Sequence, residues 1–373
     1  MNLRRSVLGA VAPLAFVSAP LALFSGLAHA QSSVTLYGLI DTSIQYARTG
    51  GVNTIRLDSG EVNTTSWGVK GVEDLGDGYK VLFKLENGFN TNNGTQAQTN
   101  KMFGREAWVG GISKYGAVQI GLNNDEMAWG LIRYSMGDLG HWDWGHASNN
   151  YDFFATTRIS NSIFYLSPDI HGFKFTALYG RGANGDATLP RTLGDTAVVS
   201  ASYNQGPFSI EAIAETQVYA ETTTITSTTS THSGNYEFLG ASYDFHFVKL
   251  GALAVLHRGA GNIIASNFNG YTDPNNIYYD VSALFPHVLA PNGSVMVSFG
   301  QYRLQRSSHG NSSSWGVRYD YHLSPRTGVY AGVSGILNGS TATFTQTGAQ
   351  QTGIPVSPGK NELALLVGMM HRF

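Results

Sequence analysis

The chain has no cysteine among its 373 residues. That excludes a disulfide frame, a thiolate metal site and a cysteine nucleophile. Charge of one sign is also lacking: 23 Lys and Arg stand against 25 Asp and Glu, a formal net charge of −2. Such a balance leaves no electrostatic footprint for nucleic acid. Past residue 30, no stretch reaches the ~18 apolar residues that a spanning helix needs. This does not exclude a membrane, because a closed β-barrel also satisfies its own backbone hydrogen bonds. Linkers, charge blocks and composition shifts are missing too, so the remainder reads as one domain despite its length.

The first segment is a targeting signal by pattern. Arg4 and Arg5 supply a positive start, and the apolar run from Val7 to Leu27 is broken by Pro13 and Pro20. Ala28-His29-Ala30 then fits a small-x-small cleavage site. The expected division is a cleaved signal peptide over 1–30 and a barrel domain over 31–373, starting at Gln31. Nothing around the arginine pair supports twin-arginine export.

From Ser33 onward the chain divides into about sixteen short segments of alternating hydrophobicity. Val34, Leu36 and Ile40 share one face, and Thr35, Tyr37 and Asp41 the other. In a later segment Tyr79, Val81, Phe83 and Leu85 oppose Lys80, Lys84 and Glu86. The last segment puts Leu363, Leu365, Val367, Met369, His371 and Phe373 on a single face. Short turns such as Asp74-Leu75-Gly76-Asp77-Gly78 and Ser324-Pro325-Arg326 alternate with long connectors over 48–63, 91–102, 124–157, 182–194, 221–235, 259–274 and 339–360. The connector over 221–235, almost all Thr and Ser, reads as a solvated loop. A soluble sandwich has no reason to sort turns to one end and loops to the other, and a β-helix would show a fixed repeat. The expected fold is therefore all-β: a transmembrane antiparallel barrel of about sixteen strands, with short periplasmic turns and long external loops. The 45 glycines and the 12% aromatic content suit strand curvature and interfacial belts.

Several runs carry a family resemblance over the whole mature chain and in order. They are Ser33-Val34-Thr35-Leu36-Tyr37-Gly38, Gly71-Val72-Glu73-Asp74-Leu75-Gly76, Asn161 to Pro168 with Gly172-Phe173, Leu323 to Thr327, and His371-Arg372-Phe373. Together they resemble Gram-negative general porins of the beta-proteobacterial branch. The resemblance implies a sixteen-stranded homotrimer in the cell outer membrane, among lipid and lipopolysaccharide, passing small hydrophilic solutes. It implies that Phe373 is the signal read by the barrel-insertion machinery. It also implies that the third long loop, 124–157, folds into the lumen and narrows it.

Strand parity points Lys70, Lys80, Lys84, Arg158, Lys174, Lys249, Arg318 and Arg372 inward, with Asp41, Glu86, Glu211, Glu215, Asp280 and Asp320. A wide lumen is mostly water, so most of these are expected to be solvated without special role. Arg158 follows the third loop where family members place a constriction arginine, and Lys70 matches a basic position on the second strand. Lys84 shares its face with Glu86. The loop itself carries Asp125, Glu126, Asp138, Asp143 and Asp152 against only Arg133. An acidic loop opposite a basic wall would set up a transverse field that sorts ions. Ser66-Trp67 and Gly121-Leu122 stand where the family often has arginine, so weak selectivity leaning to cations is expected.

Sharper sites find little support. His141-Trp142-Asp143-Trp144-Gly145-His146 has metal-ligand residue types, but its spacing matches no specific site. Trp129, Trp142, Trp144, Phe153 and Phe154 could stack on solutes, although anchoring the loop is the plainer role. Gly180 to Gly185 spells G-x-G-x-x-G with no helix to follow, so it marks no dinucleotide site. His257, His287 and His309 lie apart with no nucleophile motif, so no catalysis, cofactor or metal is expected. A general-diffusion pore is the leading reading. The alternatives are a substrate-preferring channel with an aromatic loop site, and a surface adhesin or antigen barrel.

Overall fold

Period-two alternation becomes 17 antiparallel strands in the computed structural model, which describes residues 33–151, 157–182, 192–223, 228–259, 275–305 and 308–373. The expected signal peptide therefore lies outside the described residues, as do Asp152, Phe153 and Phe154 and the connector residues 183–191, 224–227 and 260–274. The strands are β1 (Ser33–Thr49), β2 (Val52–Ser59), β3 (Ser66–Gly76), β4 (Tyr79–Gly88), β5 (Glu106–Ser113), β6 (Gly116–Asn124), β7 (Arg158–Leu166), β8 (Phe173–Gly180) and β9 (Thr196–Gln205). They continue with β10 (Phe208–Thr223), β11 (Thr228–Asp244), β12 (Lys249–Gly259), β13 (Asn276–Pro286), β14 (Gly293–Leu304), β15 (Ser312–Ser324), β16 (Thr327–Asn338) and β17 (Glu362–Arg372).

Each strand from β3 to β17 pairs with the next. β1 closes the ring, pairing with β17 along one edge and with β3 along the other. Closure pairs both edges of every strand from β3 to β17, so their backbone groups need no water. β2 is additional to the sixteen staves and pairs with the far half of β1, from Thr42↔Ser59 to Thr49↔Val52. The connector expected over 48–63 is thus largely a strand, because Ile55 and Leu57 alternate with Arg56 and Asp58 against the edge that β1 offers beyond β3. The Thr/Ser-rich stretch is corrected likewise: β10 and β11 stay paired to Thr223↔Thr228. β-branched threonine suits an extended backbone, and polarity alone does not make a loop.

The outer face is an apolar belt. Val34, Leu36 and Ile44 on β1, Ile120, Ile163, Val199, Leu239 and Val281 around the wall, and Leu365 and Val367 on β17 are all exposed. Turns between β3 and β4 and onward gather at the rim that holds both Ser33 and Phe373. At the first, Gly76, Asp77 and Gly78 all take positive φ (85°, 51° and 81°), a conformation that glycine and aspartate accept most cheaply. Phe373 pairs with Gly38 in both directions (3.0 and 3.1 Å) and lays its ring over that glycine.

The interior is not a uniform water column. Met127, Leu131 and Tyr134 of the third loop pack against inward-facing Ile213, Phe238 and Leu253. Here the wall is apolar on both faces: Val198 and Phe238 point in while their neighbours Val199 and Leu239 point out. That doubled hydrophobicity gives the loop a dry seat.

Candidate functional site

The third loop opens with helix α1 (Glu126–Tyr134) and later forms the short α2 (Ala147–Asn150). Asp125 caps α1, its carboxylate accepting from the Met127 N–H at 3.0 Å. Such a cap contributes about 1 kcal/mol. At the other end the Ser135 N–H returns to the Leu131 carbonyl. The apolar spacing Met127, Leu131, Tyr134 then lays one face of the helix on the wall.

Polar anchors carry the loop around the inside of the barrel. Arg133 forms ion pairs with Glu126 (2.5 Å) and with Glu211 of β10 (2.7 Å). The Met136 N–H donates to Ser282, and the Leu139 N–H to Asp320. Asp138 sits 3.1 Å from His322 and accepts from Ser294. The N–H and hydroxyl of Ser148 both donate to Asp280. At the deepest point Arg318 of β15 lies between Asp143 (2.6 Å) and Asp320 (2.7 Å), all three fully buried. Gly316 lets the loop backbone approach there, since a Cβ would strike Gly145.

Burial and charge set the protonation of these groups. Burial pushes Asp125 up to about 6 against the pull of the Met127 N–H. It pushes Glu126 up to about 7, with Glu211 adding to the rise and Arg133 opposing it. Burial also opposes charge on Asp143, but Arg318 and His146 more than offset it and hold the carboxyl below its usual range. His146 is raised in turn: burial opposes its charge, and the hydrogen bond it donates to Asp143 outweighs that.

The wall across from the loop is basic and held in place. Lys84 contacts Glu106 (2.5 Å) and Glu86 (3.2 Å), and Arg105 contacts Glu86 at 2.5 Å. The Tyr37 hydroxyl donates to Glu86, and its ring lies under Lys70 and Lys84 (5.2 and 5.8 Å). Arg158 donates to Thr157 and lies within electrostatic range of Arg105, Glu86 and Glu106.

Between wall and loop is a cavity of about 630 Å³. Arg105, Arg158 and Asn124 line it on one side, and Trp129, His141 and Trp142 on the other. The last long loop, 339–361, contributes Thr347 to Thr352. It has folded inward: Thr347 is hydrogen-bonded to Asn149 and Asn150 of α2, and Gln350 reaches Thr65, Phe89 and Asn90.

The expected site residues thus separate into groups. Lys84, Glu86 and Lys70 meet around Tyr37, and Arg158 borders the cavity beside Arg105. Lys80 does not join them; it lies 3.4 Å from Asp74 beside the β3–β4 turn. Asp125, Glu126, Asp138 and Asp143 do not form an acidic face toward that wall. Capping, Arg133, His322 and Arg318 take their charges, because the loop must neutralise its carboxylates to lie against a low-dielectric wall. His146 uses both ring nitrogens, on Asp143 and on the Met136 carbonyl, and His141 bonds the Ser135 carbonyl. Among the described residues no group of three metal-ligating side chains occurs. Sequence reasoning missed Arg105, which precedes β5 and so has no strand parity. It also missed the inward fold of the last loop, whose Thr347 and Gln350 look like ordinary loop residues.

Comparisons with known proteins agree with this geometry. A family model described as Gram-negative porin matches residues 17–340. An outer membrane porin protein of Bordetella pertussis is 30% identical, over 84% of this chain and 91% of its own. Outer membrane porin protein 32 of Delftia acidovorans is 26% identical, over 94% and 96% respectively. Among solved structures, an anion-selective porin from Comamonas acidovorans superposes with a TM-score of 0.77 at 23% identity, covering 92% of this chain and 100% of that one.

Proposed function

This chain belongs to the Gram-negative porin family, and from that premise we propose how its pore sorts solutes. The protein is an outer-membrane pore, a passive channel rather than an enzyme. In our reading it is a homotrimer that passes small hydrophilic solutes and ions, made with a cleaved signal over 1–30. Lipid, lipopolysaccharide and the barrel-insertion machinery, acting on Phe373, would be its other partners.

In our reading selectivity is weak and leans to anions, the reverse of the expectation drawn from Ser66-Trp67 and Gly121-Leu122, where the family often has arginine. One observation supports this: Arg105, itself paired to Glu86, and Arg158 line the cavity, and no carboxylate does so among the described residues, Glu126, Asp138 and Asp143 being engaged elsewhere. A guanidinium pair in a narrow passage raises the local concentration of anions. Asymmetric potassium chloride across a planar bilayer tests it. The reversal potential should show chloride favoured over potassium; a cation-selective value would overturn the charge filter.

A further inference from the structure

We propose that Glu61 is a proton-operated latch on the last loop: protonated, it holds residues 347–352 in the passage, and ionised, it releases them. The inference rests on the pore reading and adds a control to it. Glu61 lies just after β2, and its backbone carbonyl ties two loops together. It accepts from the Trp144 N–H of the third loop (3.1 Å) and from the Ala349 N–H of the last loop (2.9 Å). The Gln350 N–H donates alongside, to Gly60 (2.9 Å). The same strap covers the side chain, since a Cβ on Gly348 would strike both Oε2 and Cα of Glu61.

The seat serves the charged form of this carboxyl poorly. Glu61 is fully buried. Its Oε1 contacts Arg56 at 3.3 Å, but Asp58 holds that guanidinium more closely, at 2.6 Å. Its Oε2 has no hydrogen-bond partner among the described residues. Asp58 lies within hydrogen-bond reach, carboxyl against carboxyl, and Asp41 of β1 acts on Glu61 from the wall. Glu362 of β17 draws on the same Arg56. Arg318 acts on Asp41 but is itself held by Asp143 and Asp320. The last loop brings no counter-charge, because no Asp, Glu, Lys, Arg or His occurs from Gly339 to Gly359. A proton on Glu61 removes its charge and turns the contact with Asp58 into a hydrogen bond. Burial, and Asp58 after it, accordingly push Glu61 well above its ordinary value against the pull of Arg56. Loss of that proton strands a charge beneath an uncharged strap, and lifting the strap lets water reach it. The neutral form prevails in acid, so the loop is held at low pH and freed as pH rises.

The test is conductance of the reconstituted channel, which should rise as pH is raised from about 5 to 9. His141 also borders the cavity, so variants decide which group is responsible. Glu61→Gln, neutral at every pH, should keep the low acid conductance throughout. Asp58→Asn should move the midpoint of the rise down by about one pH unit, because a neighbouring negative charge is gone. Gly348→Ala, which unseats the strap directly, should show the open level at every pH. A flat profile in the unaltered channel, a rise unchanged in Glu61→Gln, or a midpoint unmoved in Asp58→Asn would overturn the latch and leave the pore standing. A spin label on Thr352→Cys reads the loop in detergent without current, since the chain has no other cysteine. Its mobility should increase over the same pH range. A silent bilayer with that increase would count against the pore and for the latch; a label equally immobile at every pH would count against the latch itself.

Discussion

Arg318 and Asp143 meet at 2.6 Å with neither side chain exposed to solvent. One comes from the wall and the other from the loop, so the pair is a bolt rather than part of a charge filter. Removing the cation leaves Asp320 buried without a counter-charge and Asp143 with only His146 (2.9 Å), a cost of about 3–5 kcal/mol. Arg318→Met should therefore loosen the third loop. Single-channel traces should turn noisy with added sub-states, and protease should cut within the loop. Quiet, protease-resistant channels would show that the apolar seat alone holds it.

Charge placement predicts a pattern of selectivity changes. Arg105→Ala and Arg158→Ala should each move the reversal potential toward cations, because both border the cavity. Lys80→Ala should not, since its ammonium lies 3.4 Å from Asp74 at the turn rim. A shift with Lys80→Ala as large as with Arg158→Ala would mean that the rim, not the cavity, sets selectivity.

The root of the loop should respond to pH. Glu126 rises from 4.5 to about 7 through burial, with Glu211 raising it further and Arg133 opposing the shift. Asp125 rises from 3.8 to about 6, again by burial. A carboxyl whose folded value exceeds its unfolded one binds protons more tightly when folded, so stability falls as pH rises through that window. Thermal unfolding in detergent should show a loss between about pH 4.5 and 7, flattened in Glu126→Gln. An identical slope in the variant would assign the effect to other groups.

The barrel was legible because lipid and water impose a period of two, which Leu363, Leu365 and Val367 follow without exception. Parity also turned Glu86, Glu211, Asp280, Asp320 and Arg318 inward, where they are buried. It could not say what they face. A wall residue meets water or a docked loop depending on contacts far away in sequence, as Arg318 and Asp143 show. The signal that was present is subtler: inward Val198, Ile213, Phe238 and Leu253 break the polar lumen pattern and mark the seat of α1. β2 escaped because its partner is an overhang of β1, and pairing with an overhang leaves no mark in composition.

The last loop gives a prediction about pore size. Asn150 is the hub: its carbonyl oxygen accepts from the Thr347 N–H (2.9 Å), and its amide donates to Ser314 (2.8 Å) and Gln346 (3.1 Å). Gln350 fastens the other end, accepting from the Thr65 N–H (3.0 Å) and donating to the Phe89 carbonyl (2.9 Å). Each buried group left without a partner costs about 1–3 kcal/mol. Asn150→Ala and Gln350→Ala should each free residues 347–352 from the cavity and raise conductance. Because both fastenings hold one strap, the double variant should add less than the sum of the two. A fully additive increase would show two independent openings, and unchanged conductance in both would remove the last loop from the passage.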